Sequence, residues 1–294
     1  MLLSPKLRRL VGAENTLDAV SHKLRSYAVN VRAPVIGAFQ ISCSDESERE
    51  CVESFHRIFV HELLPSLTFW NRSSFRTANL GARYEEGAIA IAEDHFATPE
   101  SMNGFKLLVV KMNSHVSVVD TGEVPRYGRM QRYDRDSVYC GAVHATLDGG
   151  SLPFIAEMTR FFASGGLDRL AVLREMDPNT RSLAAAMTAV QLQAGRIVQD
   201  IARVQQRSPT LYLVVAGVTL NRMRADTEII CSLTAADYRG DAVHQIPGSQ
   251  ARATRKVAKG GESGVPVIEH LGIGDDPTRY RIGYDRGQIT VSVE

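Results

Sequence analysis

A short, largely apolar run, Ala33-Pro-Val-Ile-Gly-Ala-Phe-Gln-Ile-Ser-Cys43, passes directly into Ser44-Asp-Glu-Ser-Glu48, and this junction restricts the fold more than any other part of the chain. A run of that length and character reads as a buried strand. The segment after it reads as a helix start: Ser44, Asp45 and Ser47 offer a cap, and Glu46, Glu48 and Glu50 place negative charge at the positive end of the helix dipole. The helix then continues through Phe55, Ile58, Phe59 and Leu63 until Pro65 interrupts it. A buried strand feeding straight into a helix implies an α/β architecture. It also puts Cys43 at the carboxyl end of a strand, where open α/β sheets build their sites.

The rest of the chain extends this pattern. Residues 14–29 carry Leu17, Val20, Leu24 and Tyr27 at helical spacing behind Asn15 or Thr16 as cap. A second helix is predicted over 85–96. Phe105 to Val119 reads as a long strand bent near Asn113, and Asp120-Thr-Gly-Glu123 as a turn. Ser137 to Ala145 leads into a helix, and residues 151–207 read as mainly helical. After that the character changes: 210–220 and 226–233 read as two strands in a hairpin-like arrangement, 240–264 as a loop rich in Gly and Ser, and 280–284 with 288–293 as a final hairpin about Asp285-Arg-Gly287. The expected organisation is an α/β domain over 1–207, with a small, mainly parallel sheet flanked by helices, and a β-hairpin-rich C-terminal extension over 208–294.

Charge and cysteine usage narrow the functional class. With 34 basic against 33 acidic residues the net charge is +1, which gives no electrostatic reason to expect nucleic acid as a partner. No apolar run approaches the roughly 18 residues of a membrane span, and residues 1–12 lack a secretory apolar core, so a cytoplasmic protein is expected. Four cysteines, Cys43, Cys51, Cys140 and Cys231, are too few and too scattered for a disulfide framework. They read as free thiols or metal ligands.

Two thiols and an imidazole make a donor set that suits a tetrahedral zinc site with one position open to water. Cys43, His115 and Cys140 supply one, although no local spacing motif joins them. Four segments set them in context: Cys43-Ser-Asp45-Glu46, His95-Phe-Ala-Thr-Pro99, Ser114-His115-Val-Ser-Val-Val-Asp120 and Ser137-Val-Tyr-Cys140-Gly-Ala-Val143. The Gly122 turn and Arg126, Arg129 and Arg132 fall between the last two. In this order the segments resemble the limiting-CO2-inducible B/C group of β-carbonic-anhydrase-like proteins over roughly residues 35–205. Ser44 stands where that group has Arg, and Ser114 where it has Pro.

The resemblance implies a β-carbonic-anhydrase-like fold with Zn2+ on Cys43, His115 and Cys140, acting on carbon dioxide and bicarbonate in a homodimer. It implies Asp45 as the catalytic carboxylate beside the metal, held by an arginine: Arg132 first, Arg129 and Arg49 as alternatives. Asp45 as a fourth metal ligand closing the site stays open. The expected function is reversible hydration of CO2 to bicarbonate. The alternative is a catalytically inactive zinc-stabilised binding or scaffold module of the same fold. A thiol nucleophile, Cys140 activated by His144, is a third reading. His56 and His61 read as structural, because five residues is an unsuitable spacing for one face of an α-helix, and so does Cys51, for which the sequence offers no partner.

Overall fold

A computed structural model of the chain describes residues 14–62, 72–79, 81, 83–96, 105–119, 126–128, 130–132, 135–137, 140–150, 153–163, 169–176, 178–204, 209–222, 225–238, 267–271, 280–285 and 288–293. The chain enters through a short strand β1 (Glu14–Thr16) and helix α1 (Leu17–Val31), whose first turn is capped by Thr16 accepting from the Ala19 N–H at 3.1 Å. Strand β2 (Val35–Cys43) follows, buried at every position. A single tight turn (Glu46–Glu48) then opens α2 (Arg49–Phe55), which widens over His56–His61 into a π-helical turn with the Glu62 N–H bonded to Arg57 O at 3.1 Å.

Next come β3 (Arg72–Asn79), α3 (Ala88–His95) and the 14-residue β4 (Lys106–Val119). Three short strands lie beyond it: β5 (Arg126–Tyr127), β6 (Met130–Arg132) and β7 (Arg135–Ser137). Four helices come after them, α4 (Gly141–Leu147), α5 (Pro153–Phe162), α6 (Arg169–Glu175) and the 26-residue α7 (Pro178–Arg203). The chain closes with β8 (Thr210–Asn221), β9 (Thr227–Tyr238), β10 (Val267–Leu271), β11 (Tyr280–Asp285) and β12 (Gln288–Val293).

Eight of the described strands form one sheet in the order β1-β9-β8-β4-β2-β3, with β10 also on β9 and β5 on β4. The inner pairings β3-β2, β2-β4 and β4-β8 are parallel; β9, β1, β10 and β5 add antiparallel edges. Both faces are covered, as parallel strands require. One carries Val20 and Leu24 of α1 and Phe55 and Phe59 over Ile36, Leu107 and Leu213. The other carries Ile89 and Ala92 of α3 and Val190 and Ile197 of α7 over Phe39, Val110 and Val214. Among the described residues no helix is long and apolar enough to cross a membrane.

The mixed α/β sheet flanked by helices agrees with the sequence reading, but the division at 207/208 falls inside the sheet. Strand β8 pairs with β4 from Thr210↔Lys106 to Asn221↔Ser117, so it belongs to the same core as β2 and β4. β8 and β9 do form the expected antiparallel pair, and β11 and β12 the expected final hairpin. The sheet is also larger than expected, because β1, β3 and β10 join it. The expected turn at 120–123 and the loop at 240–264 lie outside the described residues.

Strand order fixes where a site can form. From β2 the chain moves outward to β3, then returns across β2 to β4 on its other side. The order of strands reverses between β2 and β4, and α2 and α3 diverge to opposite faces there. A crevice opens at such a switch point outside the carboxyl ends of the strands. Cys43 ends β2, and β4 runs on past its last β2 partner, Asn113, to carry His115 into that crevice.

Candidate metal centre

Cys43, His115 and Cys140 meet there, with one ligand atom of each within 4.8 Å of the other two, all three buried. Cys140 arrives as the residue capping α4, its N–H turned to His115 O at 3.4 Å. Behind it Gly81 holds φ +74°, where a Cβ would lie 3.0 Å from Ala142 Cβ and 3.9 Å from Cys140 Sγ, so only glycine fits the turn and leaves the thiol its room. The three residues expected as ligands are thus brought together by three separate parts of the fold.

The donor set fits zinc on its own geometry. Two sulfurs bonded to one ion at ~2.3 Å in tetrahedral array stand about 3.8 Å apart, and Cys43 Sγ and Cys140 Sγ are 3.7 Å apart. That distance is far outside the ~2.05 Å of a disulfide, and both cysteines are free. His115 Nδ1 lies 3.0 Å from Ser47 Oγ, while its Nε2 is buried with no hydrogen-bond partner among the described residues. Ser47 Oγ donates to Asp45 Oδ1 at 2.6 Å, so it accepts from the Nδ1 proton. This tautomer leaves the Nε2 lone pair free, the arrangement a metal-bound histidine needs.

The charges agree. Cys140 donates its S–H to Cys43, and this bond, helped by His115 against the cost of burial, draws the Cys43 thiol down to about 4. The same bond and burial push the Cys140 thiol up. Burial opposes a charged His115, but the Cys43 thiolate and the nearby Glu48 and Asp45 charges outweigh it and raise the imidazole to about 9. In the metal-free protein a thiolate and an imidazolium therefore face each other, and a bound cation would replace the protons of His115 and Cys140.

Asp45 sits at the rim, with Oδ2 3.9 Å from His115 Nε2. Burial raises its carboxyl, but the hydroxyl and N–H of Ser47 lower it by more, so it is ionised. Arg49 is turned away onto Glu53 at 2.6 Å. Arg132 lies on β6, with its side chain outside the described residues, as is Arg129. His95 is on the outer surface of α3 against Phe75, with ring centroids 5.0 Å apart. His144 Nδ1 lies 2.6 Å from Asp148 Oδ2, so a partner other than Cys140 holds it.

Two positions beside the candidate centre escape the sequence reading. Ser47, which reads only as a helix cap, joins His115 to Asp45; the Asp-x-Ser spacing of an Asx turn is the signal that could have found it. Glu48, which reads as surface charge on a first helical turn, is 1% exposed. Both its carboxylate oxygens lack hydrogen-bond partners among the described residues, as does Thr219 Oγ1. Burial pushes its carboxyl up to about 8 against the attraction of His115 and Lys111. Ser42 Oγ, Asn113 Oδ1 and Asn221 Oδ1 are similarly unpaired at this end of the sheet. Unpaired buried polar atoms cost stability and cluster where function demands them.

No family model and no curated protein matches the chain. Solved structures do. The crystal structure of PtLCIB4, a homolog of the limiting CO2-inducible protein LCIB, superposes with a TM-score of 0.53 at 18% identity, covering 80% of this chain and 95% of that one. A histidine-to-alanine mutant of PtLCIB4 gives 0.52 at 18% identity, over 80% and 94%. The strand that ends in Cys43, the switch point beside it and the helices on either face therefore form the fold that this chain shares with homologs of the limiting CO2-inducible protein.

Proposed function

We propose that the chain is a zinc-dependent carbonic anhydrase of the β-type, hydrating carbon dioxide reversibly to bicarbonate. The observation that carries this reading is the convergence of Cys43, Cys140 and an unpartnered His115 Nε2 at the switch point, with the ionised Asp45 3.9 Å from that nitrogen. Zinc bound by this set supplies a Lewis acid that brings the pKa of water towards ~7.

The chain's own residues divide the remaining work. Cys43 and Cys140 give two thiolates, and Ser47 fixes the His115 ring by accepting its Nδ1 proton. Asp45 Oδ1 is occupied by Ser47, which leaves Oδ2 to accept the O–H of the attacking water and aim its oxygen lone pair. That oxygen bonds to the carbon of CO2 as one C=O becomes a single C–O bond, and the displaced proton leaves through the exposed side of Asp45. Arg132 is the proposed partner that steadies Asp45, and a homodimer is the proposed assembly.

The test pairs metal content with stopped-flow CO2 hydration. Wild type is expected to hold one zinc per chain and to hydrate CO2. Cys43→Ser loses the metal. Asp45→Asn keeps the metal but loses about a hundredfold or more in rate. A zinc-loaded wild type without activity above buffer between about pH 6 and 9 refutes the enzyme and leaves a zinc-stabilised binding module of the same fold.

A further inference from the structure

A second cavity, of about 520 Å³, lies between the outer strands of the sheet and the α2 segment. Its floor is Ala38 and Gln40 of β2 with their register partners Ser74 and Arg76 of β3. Its roof is Val52, Val60, His56 and His61. The π-helical turn shapes that roof. Residues five apart diverge by roughly 140° on an α-helix, but the wider π turn returns them to one side. His56 and His61 consequently stand edge to face, with ring centroids 4.5 Å apart. The spacing that looks wrong for an α-helix is right for this one.

The polar groups of the cavity include several donors, and its one acid is engaged. Gln40 is 4% exposed, and its Nε2 has no hydrogen-bond partner among the described residues. Arg76 stands beside it across the β2-β3 ladder and has no carboxylate partner among the described residues. The lining acid, Glu53, is paired with Arg49 at 2.6 Å, and Arg57 with Asp18 at 2.8 Å. Burial, and then the neighbouring His61 and Arg76, disfavour a proton on His56. A pocket of this size, walled by apolar side chains and holding a few aimed polar groups, is the usual form of a small-molecule site.

We propose that this cavity binds a small organic carboxylate, with Gln40 Nε2 and the Arg76 guanidinium donating to its two oxygens and its apolar body lying against Ala38, Val52 and Val60. Arg76 is the one lining cation without a carboxylate partner among the described residues, and a single cation matches a monoanion better than a phosphate dianion. Two donors side by side on one strand pair match the planar oxygens of a carboxylate. The site is separate from the metal centre and independent of the activity proposed there.

Isothermal titration of the zinc-loaded full chain with benzoate tests this. Saturable binding at millimolar or lower benzoate is expected, with benzamide, the same shape without charge, at least about tenfold weaker. Arg76→Gln and Gln40→Leu are each expected to weaken benzoate by about tenfold or more, with unfolding curves confirming that both variants are folded and zinc analysis that both keep their metal. Equal binding of benzoate and benzamide overturns the proposal, as does the absence of binding at millimolar benzoate. Binding that survives both substitutions also overturns it, since that places benzoate at the metal centre or elsewhere.

Discussion

Replacing Glu48 with Gln should make the metal-free protein more stable as pH rises from about 5 to 8, relative to wild type. Glu48 is buried at 1% exposure, and its carboxyl is raised from 4.5 to about 8, mainly by burial. The unfolded chain releases this proton near 4.5 while the folded chain keeps it until about 8. Below 4.5 both states are protonated and the residue costs nothing. Between the two values the folded state binds more protons, so wild-type stability falls with pH by ~1.4 kcal/mol per unit. Above 8 both states are ionised and the loss levels off. The full span is worth roughly 5 kcal/mol, and at pH 7 roughly 3 kcal/mol, both upper figures for a buried group that relaxes on ionising. Glutamine keeps the shape without the charge, so the difference between the two proteins cancels titrating groups remote from Glu48. His115 is coupled to Glu48, and the stability from its raised pKa is lost as pH climbs from about 6.5 to about 9, so its share enters the difference only above about pH 6.5. Urea unfolding of both proteins at about pH 5, 6, 7 and 8, with chelator present, reads the slope. Parallel stability profiles across this range would falsify the placement of Glu48 as a buried, protonated acid.

Two further substitutions probe the groups around it. Gly217→Ala places a Cβ against Glu228 Oε1 and 3.1 Å from its Cδ, between strands that cannot part, and drives that carboxylate from Lys111 Nζ at 3.1 Å and from Asn113. A loss of about 3–5 kcal/mol in urea unfolding is expected from the broken buried pair; a loss under about 1 kcal/mol counts against it. Ser47→Ala frees His115 Nδ1 and leaves Asp45 Oδ1 only the backbone N–H of residue 47, so zinc affinity by chelator competition should drop about 10–100-fold with unfolding stability nearly unchanged. Unaltered affinity would show that Ser47 does not set the imidazole.

The reach of each interaction decides whether the sequence discloses it. Cys43 is legible as a site residue because its cause is local: an apolar strand ends and a helix begins within a few residues. His115 and Cys140 are legible only through the order of their segments, since no pattern of nearby residues says that β4 outruns β2 or that α4 starts beneath it. Strand β3 escapes because Arg72-Ser-Ser-Phe-Arg-Thr-Ala-Asn79 is polar, as an edge strand half open to water is free to be. Strand β8, on the far side of the boundary expected at 207, illustrates the opposite case. β8 is largely apolar and reads with β9 as a hairpin, although its other edge pairs in parallel with β4 more than a hundred residues earlier. Parallel pairing requires a crossover and leaves no turn signature, so a strand that belongs to the core looks the same as one that does not. Glu48 shares that blindness. An acidic side chain in a first helical turn normally meets water, and it is Thr219 of β8, together with His115 and Lys111 of β4, that shuts this one in. The strand that reads as peripheral therefore builds the floor under the candidate centre, and residues 210–221 belong in any account of what that centre does.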